Sequence, residues 1–483
     1  MRATDTGRVA GRVVRAQNGQ PALAWLGLPY AAPARGPLRF APPAPPAEWR
    51  GVRDASAFAP DVLQPLDPSV TLARSLEGSL HLNVWAPPHG EGHPVLVWFH
   101  GGAFRAGSGR LYDGREYAAR RGVVVVTVNS RLGPLGYANF GGLFGDERFT
   151  PNAGYQDQGA AVRWVARNIA AFGGDPARIT VAGESAGAVA CALMLRDPDL
   201  APLVSGAALQ SGGLNQVSTL DNSLELAQAY ARALGVSGAT RERLWTLPPA
   251  AFVGALHTLE RVRARHLNSR PVLDGQVLPA TMSALLARPV APVPLLLGAN
   301  RDEYSLFVKL PDRVFPRTDR ALLRRVLEGQ LTPGGASRVL DCYPDTPDGL
   351  VALGTDMFFH AGNDAQLAAH PPDVPAFRYR FDWGTPLFGL GAAHGMELLF
   401  LWPRPMGLAS GVLRGADRGG RTRLAEAMQT AWAAFVRTGS PGWPSWRVDS
   451  PQVAQFSAAG MTLSTQGEHD RLDRWGAQLI VMP

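Results

Sequence analysis

Arg178-Ile-Thr-Val-Ala-Gly183-Glu184-Ser185-Ala186-Gly187, followed by Ala-Val-Ala-Cys191-Ala-Leu-Met-Leu195, is the stretch on which the reading of the fold turns. Ile179, Val181 and the small Ala182 make a short buried strand, and the run after Gly187 is rich in helix formers. Between them lies G-x-S-x-G. A serine on a sharp turn between strand and helix needs small neighbours, because a larger Cβ collides with the adjoining backbone. Gly183 and Gly187 supply them. The helix beginning at Ala186 directs its first unpaired N–H groups and its positive dipole end toward the serine, where negative charge develops in acyl transfer. The pattern predicts a nucleophile elbow with Ser185 at its apex.

Upstream, residues 95–99 (Val-Leu-Val-Trp-Phe) are continuously apolar, as in a strand covered on both faces. They run into His100-Gly101-Gly102-Ala103-Phe104. Two adjacent glycines after a core strand let the backbone turn its N–H groups outward, and with the N–H of Ala186 they form a candidate oxyanion hole. Residues 123–129 read as a second buried strand, and residues 111–121 between the two leave room for a crossover helix, the mark of a parallel pair. Residues 79–87 alternate with period two and predict a half-buried strand; residues 11–16 and 22–26 also read as strands. The Pro-rich connection 29–46, with Tyr30, Phe40 and nearby Trp49, predicts an ordered segment against the core and not a linker. A helix is expected over 156–172, stopped by Gly173-Gly174-Asp175-Pro176.

Further on, residues 205–210, 293–298 and 377–383 read as strands, and 223–234 and 424–437 as helices. Residues 304–376 are mostly helical in pattern, notably 320–331 and 350–361, and are expected to form a cap region over one end of the sheet. The alternation predicts an α/β fold with a mostly parallel sheet flanked by helices. No repeat or Ser- or Gly-rich linker divides the chain, so residues 1–483 are expected to form one domain.

A chain of 483 residues that is 46% hydrophobic can bury a large core, although length alone would allow about three domains. The net charge of +7 raises the question of nucleic acid. However, the basic residues are spread along the chain and are arginines except for Lys309. The densest cluster, Arg261, Arg263, Arg265 and Arg270, reads as a solvated helix face, so no nucleic-acid partner is expected. Cys191 and Cys342 are the two cysteines, and Cys191, in the helix after the elbow, reads as a small buried apolar residue. Residues 1–7 lack the apolar run of a signal peptide, and no stretch approaches a membrane span of about 18 apolar residues. A soluble cytoplasmic protein is expected.

A serine hydroxyl is a weak nucleophile until a base removes its proton, and a third group must hold that base in one tautomer. After an elbow of this type the acid and the histidine follow the serine in the chain. His394 lies in Leu390-Gly-Ala-Ala-His-Gly-Met-Glu-Leu398, a Gly-flanked loop just after the 377–383 strand, where a side chain reaches the carboxyl edge of the sheet. His257 and His266 lie among arginines in a helical stretch and read as surface residues; His360, His370 and His469 have no comparable setting. His394 is therefore the candidate base. The 293–298 strand runs into Asn300-Arg301-Asp302-Glu303, and both carboxylates stand where the acid belongs; the residues themselves leave the choice open. Phe307, Phe358, Phe359 and Phe388 are candidate apolar pocket walls.

Taken together, these stretches resemble the type-B carboxylesterase family, including bacterial p-nitrobenzyl esterases and the cholinesterases, over almost the whole chain. The matching segments run from Pro29-Tyr-Ala-Ala-Pro33 and Leu38-Arg-Phe-Ala-Pro-Pro43 through Leu82-Asn-Val-Trp85, His100-Gly-Gly-Ala-Phe104 and Asn129-Ser-Arg-Leu-Gly133. They continue with Asn152-Ala-Gly154, Asp157-Gln158, Phe172-Gly-Gly-Asp-Pro176, the elbow, Gln210-Ser-Gly212, Asn300-Arg-Asp-Glu303 and His394-Gly-Met-Glu-Leu398. The resemblance implies an α/β-hydrolase fold and a serine hydrolase that cleaves small-molecule carboxylic esters through an acyl-enzyme, with no cofactor or metal. It implies Ser185 as nucleophile, His394 as base, Glu303 as acid, and Gly101, Gly102 and Ala186 as oxyanion donors. Asp302 is then expected to satisfy backbone donors or to pair with Arg301.

Three positions depart from the family. Ser79 stands where a cysteine is usual, so the family's N-terminal disulfide is absent, in keeping with a reducing cytosol. Ser130 replaces a frequent tyrosine, and Ala188 follows an elbow that more often ends in a second glycine. None removes a catalytic group. The rival reading is a catalytically silent binding member of the superfamily, which lacks the serine or one of its partners; here all three positions are filled. Amide, thioester and carbamate substrates share the mechanism. A dinucleotide site is not supported, since Gly107-Ser-Gly109 lacks a third glycine in register, and neither His93 with His100 nor His394 with Glu397 makes a metal-ligand set.

Overall fold

The computed structural model describes residues 1–65, 75–262, 269–310, 318–402 and 417–465. The readings made for Arg263, Arg265, His266 and His469 lie outside the described residues. Eleven strands form the main sheet: β1 (Arg12–Arg15), β2 (Pro21–Pro29), β3 (His81–Ala86), β4 (His93–Phe99), β5 (Val124–Val128), β6 (Gly174–Glu184), β7 (Gly206–Gln210), β8 (Leu295–Asn300), β9 (Ala376–Phe381), β10 (Val453–Ser457) and β11 (Gly460–Ser464). Their spatial order is β11-β10-β9-β8-β7-β6-β4-β5-β3-β2-β1. Every pair from β10 across to β5 is parallel, and the pairs outside that span are antiparallel.

The parallel centre follows from the sequence. The apolar cores of β4, β5, β6, β7 and β8 are buried on both faces, and consecutive parallel strands need a crossover between them. α1 (Arg115–Arg121) links β4 to β5, α2 (Ala153–Asn168) lies between β5 and β6, and α3 (Ala186–Met194) links β6 to β7. α2 begins before the expected 156 because Asn152, with φ 53°, turns the chain into it. Its side chain brackets Val272, donating to the carbonyl at 2.8 Å and accepting from the N–H at 2.7 Å. A 3₁₀ turn over Ile169–Phe172 and Gly173, at φ 86°, end the helical stretch where the Gly-Gly stop was read.

Two readings are corrected. The strand expected to be half-buried, now β3, is an interior strand paired with β2 on one side and β5 on the other. Its polar Asn83 is buried because it bridges both neighbours: Oδ1 accepts from Gly27 N at 3.0 Å, at the irregularity in the β2 register, and Nδ2 donates to Thr127 Oγ1 at 3.1 Å. Arg270, read as part of a solvated face, is buried, whereas Arg261 is exposed.

The connection 29–46 is ordered, with Tyr30 and Phe40 in the core. The helix read over 223–234 is α4 (Leu220–Ala233). Described helices between residues 304 and 376 are α5 (Ser305–Lys309), α6 (Arg320–Glu328), α7 (Pro333–Leu340), α8 (Pro347–Thr355) and α9 (Ala361–Ala368). A π-helical turn, Asp356–His360, joins α8 to α9. Near the carboxyl end, α10 (Arg418–Thr438) buries Met428, Ala431, Trp432 and Phe435; the Trp432 ring meets Tyr379 of β9 edge-on, with centroids 4.9 Å apart. Among the described residues no helix is long and apolar enough to cross a membrane.

Candidate active site

Carboxyl ends of parallel strands gather loops at one edge of a sheet, and ligands bind there. Ser185 follows β6, Glu303 lies just after β8, and His394 lies beyond β9. Ser185 caps α3 with φ 55° and ψ −121°, a conformation that side-chain-bearing residues rarely adopt. Crowding holds it there. A Cβ on Gly183 would lie 2.7 Å from Phe99 O, and one on Gly187 would fall well inside van der Waals distance of the same carbonyl. The Ser185 N–H donates to Gln210 O at 2.8 Å, which ties the turn to β7.

The Gly101-Gly102 turn lies against the serine, since a Cβ on Gly101 would be 3.2 Å from Ser185 Cβ. Gly102 has φ 111°, and Ala103 and Phe104 are also at positive φ. The N–H groups of Arg105 and Ala106 close this turn on Gly102 O at 3.0 and 3.1 Å. Ala186, the first residue of α3 and the chain neighbour of Ser185, completes the set of candidate oxyanion donors.

Between the two carboxylates left open by the sequence, the geometry separates the roles. Glu303 is buried; its Oε2 lies 2.6 Å from His394 Nδ1 and its Oε1 accepts from Asn300 N at 2.7 Å. Asp302 accepts from Ala392 N at 2.9 Å and pairs with Arg301 at 2.9 Å. One carboxylate meets the imidazole, and its neighbour fastens the loop that carries the imidazole.

Glu184, which the sequence reading passed over, is also buried, and its Oε1 lies 3.2 Å from His394 Nε2. Among the described residues no hydrogen bond joins Nε2 to Ser185 Oγ, the contact that a serine–histidine proton transfer would require; in free enzymes such contacts often tighten only with substrate. A carboxylate on each ring nitrogen is satisfied only if the ring is doubly protonated or Glu184 itself carries a proton. The electrostatics agree. Burial opposes the charged ring, but the charges of Glu184 and Glu303 and the bond to Glu303 outweigh it, raising His394 to about 9. Burial is also the main cause that lifts Glu184 to about 8 and Glu397 to about 7.

Phe359, on the π-helical turn, places its ring 4.8 Å from the imidazole, and Phe307 of α5 lies 6.3 Å away. Phe358 stacks on Tyr304 with centroids 4.8 Å apart. Phe388, read as a wall, is 71% exposed and at positive φ. His257 is exposed, as read, and His360 is engaged with Asp356 at 2.8 Å. The signal for Glu184 was confined to a charged residue inside an otherwise small and apolar elbow.

A parallel-centred sheet with a serine at a strand-to-helix turn and a buried acid–histidine pair at the same edge defines an α/β-hydrolase. The model of the carboxylesterase family matches residues 1–472. The para-nitrobenzyl esterase of Bacillus subtilis (strain 168) is 34% identical over 89% of this chain and 90% of its own. The fumonisin B1 esterase of Sphingopyxis macrogoltabida is 35% identical over 86% of this chain and 79% of its own. A solved PNB esterase superposes with a TM-score of 0.88 at 33% identity, covering 100% of this chain and 99% of that one. The chain belongs to the carboxylesterase family and is a carboxylic-ester hydrolase.

Proposed function

We propose that the protein hydrolyses small, uncharged carboxylic esters through an acyl-enzyme built on Ser185, His394 and Glu303. The observation that carries this reading is the 2.6 Å contact of Glu303 Oε2 with His394 Nδ1, at the sheet edge where the strained Ser185 turn ends. Ser185 Oγ attacks the ester carbonyl carbon while its proton passes to His394 Nε2. Nδ1–H, held by Glu303, fixes the tautomer and stabilises the imidazolium. The carbonyl oxygen becomes an oxyanion facing the N–H groups of Gly101, Gly102 and Ala186. Collapse expels the alcohol, which takes its proton from His394. Water then attacks the acyl-serine by the reverse sequence of proton transfers.

Phe359 and Phe307 beside the imidazole favour an apolar ester. The relatives named for para-nitrobenzyl and fumonisin B1 esters point to the same bond type. In this reading residues 1–483 are one hydrolase domain, the helices between 304 and 376 cap the site, and a chain whose two cysteines are Cys191 and Cys342 suits a reducing cytoplasm. A silent binding member would lack one of the three groups present here.

The test is labelling with an organophosphate, followed by mass spectrometry and turnover of p-nitrophenyl esters of increasing chain length. A single adduct on Ser185, with Ser185→Ala losing about 10⁶-fold in kcat, is expected. An adduct elsewhere, or a Ser185→Ala variant with wild-type turnover, would overturn the proposal.

A further inference from the structure

The proposed triad leaves two buried carboxylates at the site without a task, Glu184 against the imidazole and Glu397 behind it. Glu397 lies three residues after His394, is fully buried, and accepts from two amides. Asn300 Nδ2 donates to Glu397 Oε2 at 2.6 Å and to Ala393 O at 2.7 Å, so it grips the histidine loop on both sides of His394. Gln210 Nε2 lies 3.3 Å from Glu397 Oε1.

Gln210 stands out because both of its ends are occupied. Its main-chain carbonyl receives the Ser185 N–H at 2.8 Å, and its side-chain Oε1 receives Trp432 Nε1–H at 2.8 Å. An indole N–H can only donate, so the amide oxygen must face Trp432 and the amide NH₂ must face Glu397. Chemistry therefore fixes the orientation of this amide. One residue at the end of β7 holds the nucleophile turn through its backbone and the histidine loop through its side chain. We infer that Gln210, oriented by Trp432 of α10, is a positioning residue that keeps Ser185 and His394 in register through Glu397. The inference rests on the Ser185, His394 and Glu303 reading above.

A neutral donor is what this place requires. The ionisable groups facing Glu397 are Glu184, Glu303, His394 and the hydroxyls of Tyr112 and Tyr379. A further anion among them would be repelled, and a group without a donor would leave a Glu397 oxygen unpaired in a buried site.

The experiment measures kcat and KM for a p-nitrophenyl ester from about pH 6 to about pH 10, which spans both the ordinary imidazole range and the raised value of His394, about 9. Gln210→Met keeps the length and loses the donor; kcat is expected to fall about tenfold at every pH with KM unchanged, the size of one buried hydrogen bond. In Gln210→Glu one carboxyl oxygen still accepts from Trp432, but the other must be protonated to donate to Glu397. Its deficit against wild type should therefore be large at alkaline pH and shrink as pH falls, which a merely structural defect would not do. Trp432→Phe keeps the ring against Tyr379 and frees the amide, and about a threefold loss of kcat is expected. It decides the matter if the Gln210 variants do not fold. Wild-type kcat in Gln210→Met or in Trp432→Phe, or a pH-independent deficit in Gln210→Glu, would overturn the inference. Ser185→Ala run alongside separates the two proposals: activity surviving there rejects the triad, whereas normal Gln210 variants beside an inactive Ser185→Ala reject only the positioning role.

Discussion

The turn carrying Ser185 and the loop carrying His394 meet at one edge of the sheet, yet opposite means hold them. Exclusion fixes the serine turn: Gly183 and Gly187 leave the Phe99 carbonyl only the space of a hydrogen, and any side chain would push α3 off β4. Attachment fixes the histidine loop. Asp302 accepts from Ala392 N at 2.9 Å, Ser305 Oγ donates to Leu390 O at 2.6 Å, Lys309 Nζ donates to Gly389 O at 2.8 Å, and Asn300 holds Ala393 O at 2.7 Å. Both act between segments far apart in the chain, Phe99 against Gly183 and Gly187 in one case and Asn300 to Lys309 against the histidine loop in the other. The first needs only that side chains be absent at two positions; the second depends on several side chains being present and correctly charged.

The largest effect should come from breaking the attachment where it touches the imidazole. Glu303→Gln is expected to lower kcat by about 10³ to 10⁴ with KM nearly constant, since the lost interaction strengthens only in the transition state. Its neighbour fastens the loop from the side, so Asp302→Asn should stay within roughly tenfold of wild type and act mainly on stability. Steady-state kinetics and thermal melting of both purified variants check the pair. A crippled Asp302→Asn beside a nearly normal Glu303→Gln would reverse their roles.

Exclusion is tested by adding one methyl group to each region. In Gly187→Ala the new Cβ meets a strand carbonyl that cannot turn aside, and a loss of about 3 kcal/mol or more is expected. Gly395, next to His394, has φ 74°, but its Cβ would find nothing nearer than Glu184 Oε1 at 3.6 Å. Gly395→Ala therefore carries only the left-handed backbone penalty, about 1–2 kcal/mol. Chemical denaturation that ranks Gly395→Ala as the more damaging would refute the contrast.

The smallest effect concerns protons. His394 is raised to about 9 in part by the charge of Glu184 on its Nε2 side. A base works only when deprotonated, so activity should rise with pH through a step above the ordinary imidazole value. In Glu184→Gln one source of the upward shift is gone and the step should move about one unit toward acid. The pH profile of kcat/KM reads this directly. A step that stays in place, or moves to higher pH, would show that Glu184 does not act on the ring.

The same contrast explains what the sequence made legible. The elbow was readable because its constraint is written in consecutive residues, Gly183 to Gly187, and the strands β4 to β8 because burial on both faces leaves an unbroken apolar run. The resemblance to a family, and not residue chemistry, chose Glu303 over Asp302. Glu184 and Gln210 were not readable as site residues, because the partners that give them meaning lie at 394, 397 and 432. β3 was misjudged for a related reason: Asn83 looks like an outward-facing polar residue until the irregular β2 edge beside it offers an N–H. Arg270 shows the same limit, since its charge suggested solvent and only the folded chain reveals it as buried.

The backbone of Ser185 has one more consequence. At φ 55° and ψ −121° it occupies a region comfortable for glycine and unfavourable for any residue bearing a Cβ, by about 1–3 kcal/mol. The residue assigned the chemistry is thus the one that a search for thermal robustness alone would discard first, in favour of glycine. Heat tolerance and turnover are opposed at this single position, so any route to a hardier version of this enzyme has to find its gains elsewhere in the chain.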